Sequence, residues 1–422
     1  MSADSPLPEL QDLVPFSHTG TDAAKFEKTW FTPLNKKGST GILQQQGKNP
    51  LGKGTYSIVW QVERSDFDTQ TMGLGQDTKH TNKVFAAKVM PKIKGPDDFF
   101  YRGPDEKKRV MSFAKREAQL LSRLRHRNII KFYGAFENDQ AWVLVIEFAT
   151  GGNLNERILT FHRYTLTETE AIHYMRQALD GLAYLHSEGY MHRDMKTDNL
   201  FIMRPHGESA PFTKDRLMIG DFSYVVPKTN YLGIERCGSP DYNAPEVFWG
   251  THSEAEDIWG IGIITLEILA AAILYRYLLN KRGTRNPSIN QLDEVANNLD
   301  NKKVANTLQD DCFSHISNEA KKFILSCLEI DQYKRVTARS ALDENDWLNS
   351  ITNESKSINS GTVEKESKVQ GSKPKDGATT SKTKEQHSVS RHQQKTDKHR
   401  KLPSSKEHKR TSTIKHGTSE RK

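Results

Sequence analysis

The sequence predicts an α+β fold, with a β-rich first part carrying one prominent helix and a larger, mostly helical second part. Two observations lead there. Runs rich in Gly, Ala and β-branched residues at 51–62, 84–90 and 142–147 read as strands, with a single helical stripe among them at 112–125. Beyond residue 150 the apolar residues recur at helical spacing, most clearly over 167–186. A chain of 422 residues with 35% apolar content holds enough material for a large soluble core with polar additions. The formal charge of +8 misleads as an average, because residues 351–422 carry 18 Lys and Arg against 8 Asp and Glu. Any attraction to nucleic acid or acidic surfaces therefore belongs to that tail. Cys237, Cys312 and Cys327 are too few and too scattered for a disulfide framework or a zinc site, so a reducing compartment is expected, cytoplasmic and/or nuclear.

Residues 1–44 form a Pro-containing extension whose apolar cluster, Phe26, Trp30, Phe31 and Leu34, suits packing on a neighbour better than partner binding. Met1 to Asn49 joins no basic region to an apolar run, so no signal peptide is expected. Leu51-Gly52-Lys53-Gly54, continuing through Ser57 to Val62, looks like a hairpin over phosphates, in which Gly52 and Gly54 let backbone N–H groups approach anionic oxygens. Val84 to Met90 is an apolar strand with Lys88 at its middle. An isolated strand lysine usually snorkels to solvent. Here Glu117 shares a helix face with Leu120 and Leu121, and the two charges are expected to pair. Segments 65–82 and 91–108 read as polar surface loops. Trp142 to Glu147 is a buried strand broken by Phe148-Ala149-Thr150-Gly151-Gly152. Thr167 and Glu170 form a capping box for the helix to His186, with Ile172, Met175, Leu179, Leu182 and Leu185 as its stripe and Gly189 as its stop. The apolar run Ile258 to Leu279 is long enough to span a membrane, but Asp257, Glu267, Arg276 and two glycines favour one buried core helix, and no membrane partner is expected.

The stretch with the most chemistry is His192-Arg193-Asp194-Met195-Lys196-Thr197-Asp198-Asn199, ahead of the apolar Leu200-Phe201-Ile202. An Asp to accept a hydroxyl proton, a Lys to meet a transferring phosphate and an Asn to hold magnesium stand within one turn. The competing structural reading has Asp194 capping a turn and His192 filling a core. As H-R-D-x-K-x-x-N, the stretch resembles the catalytic loop of eukaryotic protein kinases, and its Lys resembles the serine/threonine branch. Asp221-Phe222-Ser223 resembles the D-F-G of that family, and 236–246 resembles its peptide-seating segment. The resemblance covers 45–349, and the closing segment and the surroundings of Cys237 most resemble the calcium/calmodulin-dependent-kinase-like group.

That resemblance implies a bilobal kinase-like fold: a small antiparallel β-sheet N-lobe with one key helix over 45–149, and a larger helical C-lobe over 150–349. It implies ATP and Mg2+ as cofactors and a protein with a Ser or Thr acceptor as substrate. Leu51, Gly52, Lys53, Gly54, Val59 and Ala86 would enclose the nucleotide. Lys88, held by Glu117, would orient its phosphates, and the backbone of Glu147 and Ala149 would meet adenine, which accounts for unremarkable side chains there. Asn199 and Asp221 would bind the metal, Asp194 would be the base, and Lys196 would face the γ-phosphate. Asp257 would hold the backbone of the catalytic loop, Arg335 would neutralise Glu246, and the Ser239 hydroxyl would bridge Asp194 and Lys196. Three departures stand out: Ser57 and Ser223 replace glycines, and Leu269 to Leu279 lacks the family's Gly and Pro-Phe. Ser223 is expected to make the activation segment less mobile.

Glu235 is expected to give Arg193 a permanent counter-charge in place of a loop phosphate, a solvated Glu being the alternative. Thr229, Tyr231 and Ser239 are candidate phosphorylation sites. Asn153, where basophilic relatives carry Glu, predicts a weakened preference for upstream Arg, with Asp198 keeping one acidic contact. Residues 350–422 contain no Phe, Trp or Tyr and should be a disordered basic tail. Lys398-His399-Arg400-Lys401 and Lys406 to Arg410 suit nuclear import or an acidic or nucleic-acid partner, a solvated linker being the equal alternative. A calmodulin-type target helix is disfavoured there, since apolar anchors are missing. Two functional readings result, an active serine/threonine kinase and an ATP-binding pseudokinase scaffold presenting the tail. Lys88, Asp194 and Asp221 all stand, which favours catalysis.

Overall fold

The computed structural model describes residues 50–54, 57–64, 84–91, 104–137, 141–160, 164–205, 207, 210–228 and 236–350, with the strand segments Val14–Pro15 and Leu43–Gln45. The apolar cluster of the extension, the loop 65–82, Thr229, Tyr231, Glu235 and the tail 351–422 lie outside the described residues.

Seven strands make the first sheet: β1 (Val14–Pro15), β2 (Leu43–Gln45), β3 (Gly52–Lys53), β4 (Ile58–Arg64), β5 (Val84–Pro91), β6 (Phe132–Glu137) and β7 (Ala141–Glu147). Their order is β1-β6-β7-β5-β4-β2, with β3 on β4, and every pairing is antiparallel except β1 with β6. Segments that precede residue 45 thus contribute to the sheet. β5 is central, and Lys88 sits opposite Val59 on one side and Leu144 on the other. A residue so placed has no route to the sheet edge, so its side chain needs a partner above the sheet.

That partner comes from α1 (Pro104–Arg123). The helix starts well before the expected 112, so the end of the presumed loop 91–108 is helical; Pro104 in the first turn is a start signal that the apolar stripe alone does not report. Leu120, Leu121 and Leu124 are buried, and Glu117 is buried with them.

The second part holds α2 (Leu154–Thr160), α3 (Glu168–Ser187), α4 (Pro245–Phe248), α5 (Ala255–Ala270), α6 (Leu274–Lys281), α7 (Ile289–Asn297), α8 (Asn301–Thr307), α9 (Asn318–Cys327) and α10 (Ala338–Glu344). Two small antiparallel pairs lie at the cleft: β8 (Tyr190–Met191) with β11 (Val226–Pro227), and β9 (Leu200–Met203) with β10 (Arg216–Ile219). The expected capping box starts α3: Glu170 N donates to Thr167 Oγ1 at 3.3 Å and Thr167 N to Glu170 Oε2 at 3.1 Å. All five stripe residues of α3 are buried.

The run 258–279 is not one helix. α5 ends at Ala270, Ala271 is left-handed (φ 52°), and the axis turns by 63° into α6. Carbonyls of the last turn find distant partners: Leu166 N donates to Ile268 O at 2.6 Å, and the His315 ring meets Leu269 O at 2.9 Å. Tyr275, stacked on Trp259 and donating to Asn243 O at 2.9 Å, holds α6 inward. These contacts stop the helix where no Gly or Pro does. Among the described residues no single helix is long and apolar enough to cross a membrane.

Candidate active site

The loop 192–199 leaves β8 and is gripped from below by α5. Asp257 Oδ2 accepts from His192 N and Oδ1 from Arg193 N, each at 2.7 Å, and the His186 ring meets Oδ2 at 2.9 Å. Burial would raise the Asp257 carboxyl, but the His186 hydrogen bond and charge outweigh it and hold the carboxyl below its ordinary range. The His192 ring is fixed as well: Nδ1 accepts from Asp194 N at 3.3 Å and Nε2 faces Gly220 O at 3.0 Å, which assigns the neutral ring with its proton on Nε2. Arg193, left-handed at φ 69°, is the hinge of this turn.

Asp194 is buried, and its carboxylate takes three side-chain donors. Ser239 Oγ donates to Oδ1 at 2.9 Å; Asn199 Nδ2 and Lys196 Nζ reach Oδ2, each at 2.9 Å. Lys196 Nζ also donates to Ser239 Oγ at 2.8 Å, so the hydroxyl bridges the two as expected. Ser239 can reach them because Gly238 (φ 79°) lies against the loop: a Cβ there would be 2.4 Å from Arg193 O. In the sequence the signal for this turn is the Gly beside Ser239-Pro240.

Across the cleft Lys88 Nζ donates to both oxygens of Glu117 at 2.8 Å, forming the expected pair. It also donates to Asp221 Oδ1 at 2.7 Å and to Ser223 Oγ at 2.8 Å. Burial alone would lower the Lys88 ammonium and raise Asp221. The charges of Asp221 and Glu117 reverse the first and the charge of Lys88 the second, so Lys88 is held above and Asp221 below its ordinary value. Glu117 stays raised, because its burial outweighs Lys88.

Hard oxygen donors are available for a small divalent cation. Asn199 spends its amide nitrogen on Asp194, and among the described residues no hydrogen bond reaches its Oδ1 or Asp221 Oδ2. One carboxylate and one amide oxygen do not make a complete protein site, and among the described residues no cluster of three or more His, Cys, Asp and Glu can hold a metal alone. The set fits a cation that takes its other ligands from phosphates and water.

The nucleotide side is less complete. A Cβ on Gly52 would meet nothing within 4 Å, leaving that face open. The Gly54 amide is not free for phosphate, since it donates to Ser57 O at 2.8 Å. Val59, opposite Lys88, and buried Ala86, opposite Gln61, are two pairs apart on β4 and β5, and Leu51 is exposed. No hydrogen bond reaches Ala149 N among the described residues. The Glu147 side chain is not unremarkable: Arg216 Nη2 donates to its Oε1 at 2.5 Å, tying the strand break to β10. Asn153 caps α2, accepting from Glu156 N at 2.8 Å, and Asp198 accepts from Asn155 at 3.2 Å.

Three participants were not legible in the sequence. Glu256, one residue before Asp257, places Oε1 3.4 Å from Arg193 Nε and Oε2 2.8 Å from His252 Nδ1. Burial pushes its carboxyl up to about 6. Glu267 accepts from the Tyr242 hydroxyl at 2.8 Å beneath the segment 236–246, and Arg276 makes two bonds to Asp241, at 2.8 and 2.6 Å. The region without Gly and Pro-Phe therefore supports that segment directly. Arg335 does meet Glu246, at 2.6 and 3.0 Å.

Comparison with protein families matches residues 47–348 to the protein kinase domain. Calcium/calmodulin-dependent protein kinase type I of Schizosaccharomyces pombe is 33% identical over 298 residues, 69% of this chain and 75% of the relative. A probable myosin light chain kinase of Dictyostelium discoideum is 29% identical over 306 residues, 71% and 81% of the two chains. Calcium/calmodulin-dependent protein kinase type 1 of Macrobrachium nipponense is 28% identical over 322 residues, 75% and 78%.

Proposed function

The chain belongs to the protein kinase family, as a serine/threonine kinase of the calcium/calmodulin-dependent-kinase-like group, and from this we propose that it transfers the γ-phosphate of ATP, with Mg2+, to protein hydroxyls. The observation that carries the reading is the Ser239 hydroxyl held 2.9 Å from Asp194 Oδ1 and 2.8 Å from Lys196 Nζ. A small aliphatic hydroxyl fits between those two charges, which is the contact set a Ser or Thr acceptor needs. In the transfer the acceptor oxygen bonds to the γ-phosphorus, the bond to the β–γ bridging oxygen breaks, ADP leaves, and the acceptor's proton passes to Asp194. Lys196 offsets charge on the phosphoryl oxygens, and Lys88, fixed by Glu117, orients the remaining phosphates. Mg2+, held by Asp221 and Asn199, would neutralise phosphate charge when bound. Most of the catalysis is then positioning and electrostatics.

The test is radiolabelled phosphate transfer from ATP-Mg2+ to a basic protein and to the enzyme itself, with wild type beside Asp194→Asn. We expect phosphoserine or phosphothreonine from wild type and loss of product in the variant. Nucleotide binding without transfer by wild type would refute the reading in favour of a scaffold.

The relatives' names include calmodulin, but the apolar anchors of a calmodulin target are missing from 350–422. We read that tail as the contact for an acidic or nucleic-acid partner and for nuclear import. Deleting 350–422 from a fluorescent fusion should move the protein out of the nucleus, and unchanged localisation would dismiss the import role.

A further inference from the structure

We propose that the Ser223 hydroxyl is a positioning group that fixes which oxygen of Asp221 is offered to the nucleotide-bound cation. This deepens the kinase reading and rests on it. Ser223 stands in the 3₁₀ turn Phe222–Tyr224, and its backbone lies outside the left-handed region, so no glycine is required there. What the side chain adds is a hydroxyl at the centre of three charged groups. Ser223 Oγ donates its one proton to Asp221 Oδ1 at 2.7 Å and accepts from Lys88 Nζ at 2.8 Å; Glu117 Oε2 is a longer contact at 3.3 Å.

The ammonium of Lys88 has three protons and four acceptors, namely both Glu117 oxygens, Asp221 Oδ1 and Ser223 Oγ. It is oversubscribed, and two carboxylates converge on one positive charge. The hydroxyl eases this by giving Asp221 a second donor. Both bonds to Asp221 land on Oδ1, and none reaches Oδ2 among the described residues. The carboxylate is thus turned with Oδ1 committed and Oδ2 left for a cation. When phosphate oxygens compete for Lys88, Ser223 still holds Oδ1. A glycine at 223 would leave Asp221 with Lys88 alone.

The test compares full-length wild type with Ser223→Ala, Ser223→Gly and Ser223→Thr, measuring ADP affinity by calorimetry across a Mg2+ titration and without Mg2+. Loss of a hydrogen bond to a charged group predicts that Ala and Gly need about tenfold more Mg2+ for the same ADP affinity. Metal-free ADP affinity should change far less than the Mg2+ requirement, and Thr, which keeps the hydroxyl, should restore the wild-type Mg2+ requirement. Phosphate transfer should show the same shift, with the half-saturating Mg2+ raised in Ala and Gly and restored in Thr. An unchanged Mg2+ requirement in Ala and Gly, or an equal loss of ADP affinity with and without Mg2+, overturns the proposal. If wild type binds Mg2+-ADP yet transfers no phosphate, the catalytic reading fails, while the Mg2+ comparison still decides the role of Ser223.

Discussion

Replacing Glu267 by Gln should stabilise the protein at alkaline pH and leave it nearly unchanged at acid pH. Burial is the main reason: it pushes the Glu267 carboxyl from 4.5 up to about 7, against the hydrogen bonds from the Tyr242 and Thr197 hydroxyls and with help from the charges of Asp198 and Asp241. A carboxyl whose proton affinity is raised by folding contributes stability that is whole below its unfolded value and is lost as pH climbs through its folded value. At about 1.36 kcal/mol per tenfold change in proton affinity, the ionised Glu267 costs about 3 kcal/mol by pH 8, of which about 2.5 kcal/mol is lost between pH 5 and pH 8. Gln keeps the size and the acceptor for Tyr242 but cannot ionise. The advantage of Glu267→Gln over wild type should therefore grow by about 2.5 kcal/mol from pH 5 to pH 8. With an unfolding entropy of about 2.1 cal/mol/K per residue over roughly 300 folded residues, that is about 4 °C in Tm. Urea unfolding and thermal scans at both pH values measure it, and the pH difference cancels any intrinsic cost of the substitution. An advantage that is the same at pH 5 and pH 8, or absent at both, would refute the reasoning.

Lys88→Met leaves Glu117 and Asp221 facing each other without their cation, and transfer should fall on the order of 100-fold or more in a radiolabel assay while the fold persists by circular dichroism. Gly238→Ala puts a Cβ 2.4 Å from Arg193 O at φ 79°; it should cost about 1–2 kcal/mol in chemical unfolding and lower kcat more than it raises KM for ATP. Arg335→Met strands the buried Glu246 carboxylate, with an expected loss of about 3–5 kcal/mol in urea unfolding, and adding Glu246→Gln should recover part of it.

Features that depend on neighbours a few residues apart are legible in the amino-acid order alone. The capping box of Thr167 and Glu170, the buried stripe of α3 and the strand carrying Lys88 are set by spacing and local hydrogen bonding, and they stand as read. The Lys88–Glu117 pair was legible too, since a lysine in a central strand demands a counter-charge and the helix stripe offers one acid on the right face. Tertiary structure decided what depends on residues brought together from afar. α5 stops at Ala270 because Leu166 and His315 bond its last carbonyls, contacts that no local pattern announces. Glu256 faces Arg193 because Asp257, beside it, is pinned to the loop backbone, and Gln or Ala at 256 would leave the same helical pattern. Ser223 reads in the sequence only as a missing glycine. Its hydroxyl acquires partners because the fold brings β5 and α1 to the residues after β10, and a group buried among charges takes its role from whichever charges arrive.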